Sequence, residues 1–170
     1  MEIPKWKGTY ATDCFPKMIT HDIRGLFVFG EDPVRTDPDT NHVIHALESL
    51  DFLVVDDLFL TETAKYADVV LPGRSYAEKE GTFSNTERRV QRVRKAVTLE
   101  GEMRLDTDIF IDLMNRMGYP QAQLTSEEIM DEIASLTPSF AGISHRRLDK
   151  GESIQWPCPD KKHPGTPILH

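Results

Sequence analysis

The sequence predicts an α/β fold: an open, mostly parallel sheet with helices on both faces, followed by helical segments and an irregular Pro-rich tail. Three observations predict it. Leu26-Phe27-Val28-Phe29, Phe52-Leu53-Val54-Val55 and Val69-Val70-Leu71 are apolar throughout rather than alternating, as strands covered on both faces are. The segments between these runs have helical spacing or the length of a helical turn, so strand, helix, strand, helix, strand implies parallel crossovers. The chain has 170 residues, 39% hydrophobic and 28% charged, which suits about one domain with a real core.

Taken in order, Gly25 to Gly30 is the first strand. Glu31-Asp32-Pro33 to Thr36-Asp37-Pro38 is rich in turn residues, and proline disfavours helix at the residue before it. Asp39 or Thr40 caps a helix carrying Val43, Ile44, Leu47 and Leu50 at helical spacing. The second strand ends at Asp56-Asp57. Thr61 to Ala67 fits one or two helical turns, and Asp68 to Pro72 is a third strand stopped by Pro72-Gly73. The remainder reads as more helical. Asp106 or Thr107 caps a helix with Ile109, Phe110, Leu113, Met114 and Met117 on one side; Gly118 and Pro120 stop it. Thr125 and Glu128 form a capping box for a helix bearing Ile129, Ile133 and Leu136, which Pro138 ends. Met103, Met114, Met117 and Met130 read as core filler. The tail from Trp156 holds Pro157, Pro159, Pro164 and Pro167 without periodicity, and stays ordered only against a surface.

Composition excludes several classes. A net charge of -8 argues against a global nucleic-acid or anionic-membrane surface. No apolar run approaches the ~20 residues of a membrane span, and the N-terminus lacks a secretory signal. Cys14 and Cys158 are far apart and outside any C-x-x-C pair. They point to a reducing compartment, the cytoplasm, and fall short of the four thiolates that hold an iron–sulfur cluster.

Ligands of open α/β sheets bind at the carboxyl ends of the strands. Here those ends are Gly30-Glu31-Asp32, Asp56-Asp57 and Gly73-Arg74-Ser75. Gly30 permits close backbone approach, and Glu31 and Asp32 can accept from ribose hydroxyls or the N–H edge of guanine; a hydrophilic turn opened by Asp32-Pro33 is the alternative. Asp56 stands where dinucleotide folds hold a ribose, but G-x-G-x-x-G is absent, against NAD; Asp56-Asp57 reads equally as a capping pair. Arg88, Arg89, Arg92, Arg94 and Lys95 form the only dense basic run, either meeting phosphates or acidic neighbours, or forming a solvated face. His42 and His45 have metal-compatible spacing without an evident third ligand, so they read as a surface pair. A phosphatase using Asp32 and Asp57 has strand-end carboxylates but no recognised nucleophile motif, and G-x-S-x-G is also missing.

Four blocks occur in order: Gly30-Glu31-Asp32-Pro33, Asp57-Leu58-Phe59-Leu60-Thr61-Glu62-Thr63-Ala64, Ala67-Asp68-Val69-Val70-Leu71-Pro72, and Glu80-Gly81-Thr82-Phe83-Ser84-Asn85-Thr86-Glu87-Arg88-Arg89-Val90-Gln91. Together they resemble the catalytic (alpha) subunit of molybdenum- or tungsten-dependent formate dehydrogenases that bind two molybdopterin guanine dinucleotides. Arg116-Met117-Gly118-Tyr119-Pro120 and Ile154-Gln155-Trp156-Pro157-Cys158 are more similar to formate dehydrogenase than to nitrate reductase. The resemblance covers about residues 24 to 170.

The resemblance implies a Rossmann-like internal domain that cradles the guanine dinucleotide part of the cofactor. It implies that Gly30, Glu31, Asp32 and Thr36 line the nucleotide, that Asp56 and Asp57 make the second-strand acidic contact, that Gly73 offers backbone, and that Asp106 faces the guanine. Asp56 departs from the glutamine often found there, and Gly73 lacks a hydroxyl. Residues 80–89 are implied to meet the pterin region or neighbouring domains. Molybdenum or tungsten, the 4Fe-4S cluster and the catalytic residues of the parent are implied to lie outside this stretch, so no catalytic or metal-ligating residue is assigned here. The implied organisation is a lead-in over 1–23, a cofactor-binding domain over 24–150, and a tail over 151–170 leading to a C-terminal domain. Other domains of the parent subunit and electron-transfer subunits are the implied partners, and the isolated chain is expected to be inactive. The alternative is a free-standing nucleotide-binding or scaffold module without redox activity.

Overall fold

The computed structural model describes residue 5, residues 7–98 and residues 100–169. Residues 1–4 and 6 of the expected lead-in, and His170 of the tail, lie outside the described residues. The chain divides into two compact units, one ending at Gly73 and the other beginning at Arg74. No described helix is long and apolar enough to cross a membrane.

The first unit contains α1 (Ala11–Ile19), β1 (Gly25–Phe29), α2 (Pro33–Thr36), α3 (Thr40–Glu48), β2 (Phe52–Asp57), a 3-10 turn (Thr63–Tyr66) and β3 (Val69–Pro72). The strands form a parallel sheet in the order β1-β2-β3, with Leu26 opposite Leu53, Val28 opposite Val55, and Val55 opposite Val70. Side chains alternate between faces along a strand, so Val28, Leu53 and Val55 share one face. Phe15 and Met18 of α1 and Val43, Ala46 and Leu47 of α3 complete a core on that face. Met18, Val43 and Val55 are fully buried, each contributing roughly 1.5–3 kcal/mol of hydrophobic stabilisation. Asp39 caps α3 by accepting from the His42 amide at 3.1 Å. The sequence reading places no helix over α1, whose Pro16 interrupts the usual helical signals; its apolar Phe15 and Met18 at i, i+3 are the signal that was present.

The second unit is an antiparallel sheet with helices: β4 (Gly81–Ser84), β5 (Arg89–Val93) and β6 (Ile154–Gln155), with α4 (Asp106–Arg116), α5 (Ser126–Leu136) and α6 (His145–Asp149). The hairpin turn between β4 and β5 is closed by Asn85, whose side-chain oxygen accepts from the Arg89 amide at 2.9 Å. Arg88 there has φ of 66°, in the left-handed region that non-glycine residues seldom adopt. Val90, Met130, Ile143, Leu148, Ile154 and Cys158 form the core. The expected capping box of α5 is present, with Thr125 and Glu128 bonded reciprocally. Two helical expectations are corrected. Neither Asp106 nor Thr107 caps α4: the helix opens at Asp106 after Leu105, without a side-chain cap, because the Asp106 carboxylate is held by Lys79. Met117 is not core filler but 84% exposed, whereas Met130 is 2% exposed.

The tail does have a surface to lie against. Trp156 stacks on Phe140 at 5.7 Å between ring centroids, Cys158 is fully buried, and its carbonyl accepts from the Gly142 amide at 2.7 Å. The approach is so close that a Cβ on Gly142 would lie 2.0 Å from the Asp160 carbonyl oxygen. Gly142→Ala is therefore expected to destabilise the second unit by about 3 kcal/mol. Equilibrium urea unfolding checks this, with Gly8→Ala, which meets nothing within 4 Å, as the neutral control.

Candidate functional site

The parallel register brings the predicted strand ends of the first unit level with one another. Phe29 lies opposite Asp56, and Asp57 opposite Pro72. The turns that follow are tied to the middle strand: the Gly30 amide donates to the Asp56 carbonyl at 2.9 Å, and the Gly73 amide donates to the Asp57 carbonyl at 3.1 Å. Gly30 has φ of +61° and nothing within 4 Å of where its Cβ would stand, so its backbone faces open space in a conformation glycine favours.

The candidate residues along this edge differ in what they offer. Glu31 is exposed. Asp57 is half-buried, with Oδ1 accepting from the Leu58 amide at 2.6 Å. Thr36 is exposed, and its hydroxyl donates to the Asp32 carbonyl at 3.2 Å. Asp56 is 1% exposed and lies beneath the edge. Gly73 is buried.

Asp32 is held internally. Its Oδ1 accepts from the Thr63 hydroxyl at 2.6 Å and the Thr63 amide at 3.0 Å, and its Oδ2 from the Glu62 amide at 3.4 Å. Burial works to raise its pKa, but these hydrogen bonds and the nearby Arg35 charge outweigh burial and hold the carboxyl below the ordinary aspartate value. Thr63, which the sequence reading did not single out, is fully buried, and its Oγ also accepts from the Val34 amide at 3.1 Å. The T-E-T-A run was the available signal, since Thr61 Oγ accepts from the Ala64 amide as a turn-capping threonine does. Leu58, Phe59 and Leu60 were also missed; they are 48%, 77% and 69% exposed directly after Asp57.

Asp106 belongs to the second unit. With Lys79 it lines a hollow of about 300 Å³ that also includes Arg74, Lys95, Thr125 and Ile129. Arg74 is fixed there by its Nε donating to the Met103 carbonyl at 3.1 Å. The basic run is not a plain solvated face. Arg88 donates to the carbonyls of Trp156 and Pro167, Arg89 pairs with Glu87, Arg92 with Glu80 and Arg94 with Asp149. The Arg88 contacts join the hairpin to the tail, and the Arg94 pair reaches α6.

The carboxylate acceptors at the sheet edge suit the N–H and hydroxyl donors of a nucleotide. Exposed carboxylates accept from adjacent N–H groups or from ribose hydroxyls, and a glycine turn at a strand end admits close approach. The hydrogen bonds of Asp32 make it a holder of the loop. Asp32→Ala is expected to strand the Thr63 hydroxyl and amide and to destabilise the first unit by about 2–3 kcal/mol. The pH dependence has a definite sign. With the native pKa depressed, the carboxylate's contribution is present above the ordinary aspartate value and is lost as pH falls through the native one. Acid unfolding followed by circular dichroism is therefore expected to be shallower in Asp32→Asn than in the wild type.

Comparison with known proteins gives a consistent picture. Residues 7–116 match the family described as molybdopterin oxidoreductase. The chain is 52% identical over 152 residues to the F420-dependent formate dehydrogenase 1 subunit alpha of Methanococcus maripaludis, covering 87% of this chain and 22% of that protein. It is 51% identical over 160 residues to the F420-dependent formate dehydrogenase subunit alpha of Methanocaldococcus jannaschii, covering 91% and 24%. The chain thus spans under a quarter of the length of these curated relatives. Acetylene hydratase from Pelobacter acetylenicus shares the fold, with a TM-score of 0.67 at 22% identity over 82% of this chain and 20% of that one.

Proposed function

The chain belongs to the molybdopterin oxidoreductase family, and on that premise we propose that it is an internal, cofactor-binding part of a formate dehydrogenase alpha subunit. The observation that carries this reading is the levelled carboxyl edge of the parallel sheet. Gly30 there opens the backbone to a ligand and Asp57 and Glu31 present carboxylates. Identity near 50% to formate dehydrogenase alpha subunits supports the choice of reaction.

In this reading the group held is the guanine dinucleotide arm of a molybdopterin. Glu31 and Asp57 accept hydrogen bonds from its ribose or base, and the Gly30 and Gly73 backbone allows close contact. Thr36 borders the loop, Asp32 holds it in shape, and Asp56 supports the edge from beneath. Asp106, paired with Lys79 within the second unit, is a further candidate carboxylate for the guanine. When bound, the cofactor supplies a molybdenum or tungsten centre for two-electron oxidation of formate to carbon dioxide or the reverse; this stretch supplies position and affinity. The remaining assignments follow the same reading: 24–150 as the cofactor-binding region, a 4Fe-4S cluster and metal ligands elsewhere in the parent, its other domains and electron-transfer subunits as partners, and the cytoplasm as location.

Three measurements test the proposal. In the parent subunit, Asp57→Ala and Asp106→Ala are each expected to weaken retention of the cofactor by roughly 10- to 100-fold, the worth of a hydrogen bond to a charged group. This is read as molybdopterin released per subunit after denaturation, and unchanged content in both variants overturns the assignment. The isolated chain is expected to give no formate-dependent dye reduction. An immunoblot of native cells showing a product of 19.4 kDa with no larger band would favour the scaffold reading instead.

A further inference from the structure

We propose that His145 makes the seat of α6 on β5 a pH-sensitive latch within the second unit. The first residue of α6, His145 is 3% exposed, and its Nε2 is buried without a hydrogen-bond partner. Beside it is the Arg92 guanidinium of β5, whose Nε is likewise buried and has no hydrogen bond. That guanidinium is immobilised, because its Nη1 donates to the carbonyls of Gly81 at 3.2 Å and Val93 at 2.8 Å, and its Nη2 to Glu80 at 3.3 Å.

The same guanidinium helps hold α6 down. Asp149, at the end of α6, lies 3.6 Å from Arg92 Nε and 2.6 Å from Arg94 Nη2. A proton on His145 therefore places a second cation inside the latch. The groups facing His145 are Arg92 from β5, Glu127 and Asp131 from α5, and Asp149 from α6 itself. The carboxylates favour the proton, but burial first and Arg92 second prevail and keep the imidazole below the ordinary histidine value. Neutral imidazole is compatible with the closed latch.

Opening α6 exposes His145 to water and restores its ordinary affinity for a proton. Acid therefore drives opening. In the window below the ordinary histidine value and above the native one, the open state carries up to one extra proton, and the population of open α6 rises by up to about tenfold per pH unit. Above that window the latch is pH-independent.

The test is hydrogen exchange in the full chain at a series of pH values, corrected for intrinsic exchange. The reporters are the Arg147 and Leu148 amides, both bonded to the Ser144 carbonyl. The expected result is loss of protection at these amides as pH falls through the window, with Val90 and Ile154 in the sheet unaffected, and no such slope in His145→Phe. A ring-proton titration of His145 in the wild type supplies a second readout that does not depend on the variant folding. A ring titrating at or above the ordinary histidine value overturns the proposal. So does α6 protection that stays flat while the ring takes up its proton.

Discussion

The carboxyl edge of the first unit depends on one carboxylate. Asp32 follows β1 by three positions, yet it reaches the 3-10 turn that follows β2 and accepts three hydrogen bonds there, two of them from Thr63. Thr63 passes the constraint on, because its hydroxyl oxygen accepts from the Val34 amide in α2. Two connections that leave different strands are thereby fixed to each other. Loops placed by a rigid scaffold are where binding groups usually sit. Here the scaffold extends beyond the ladder into the loops, so the exposed Glu31 and the half-buried Asp57 stand on an ordered rim.

In the second unit arginines play the corresponding part. Arg88, Arg92 and Arg147 donate to main-chain carbonyls of residues 81, 93, 142, 156, 163 and 167. A guanidinium carries five donors in a planar fork, so one side chain satisfies several carbonyls that an irregular segment leaves without ladder partners. This is why a Pro-rich tail with almost no secondary structure packs at all. Its prolines cannot donate, and its carbonyls find donors on the turn before β5 and on α6.

Much of the first unit was legible because its signals are local. Continuous apolar runs, an Asp cap on α3 and Gly30 in its turn all act within a few residues. The β4–β5 hairpin was not legible, since its alternation places arginines at Arg89 and Arg92 where strand patterns usually show apolar or small polar residues, and only Val90 is fully buried. The basic run suggested phosphate or solvent, whereas its partners lie up to 79 positions away, a separation no periodicity reveals. At the candidate site the sequence identified the strand ends but could not rank their carboxylates. Whether Asp32 faces a ligand or Thr63 depends on a contact across 31 positions.

That ranking is the step from fold to site. Capping pairs engage some carboxylates through one oxygen: Glu78 Oε2 accepts from the Ser75 amide and hydroxyl, and Glu128 Oε2 from those of Thr125, at their own helix starts. Asp32 closes on a neighbouring loop, and Asp68 on the Leu53 amide at 2.7 Å. Each of these accepts from a hydroxyl or amide that the fold places against it, and removing it costs stability before it costs binding. Glu31 accepts no hydrogen bond among the described residues, and Asp57 has only one oxygen engaged, at 2.6 Å. A carboxylate that the fold leaves with acceptor capacity, at the edge where parallel strands end, is the kind that meets a ligand. In a chain with 28 acidic residues, the strand-end position selects a few carboxylates, and the hydrogen bonds those few already accept separate Asp32 from Glu31 and Asp57.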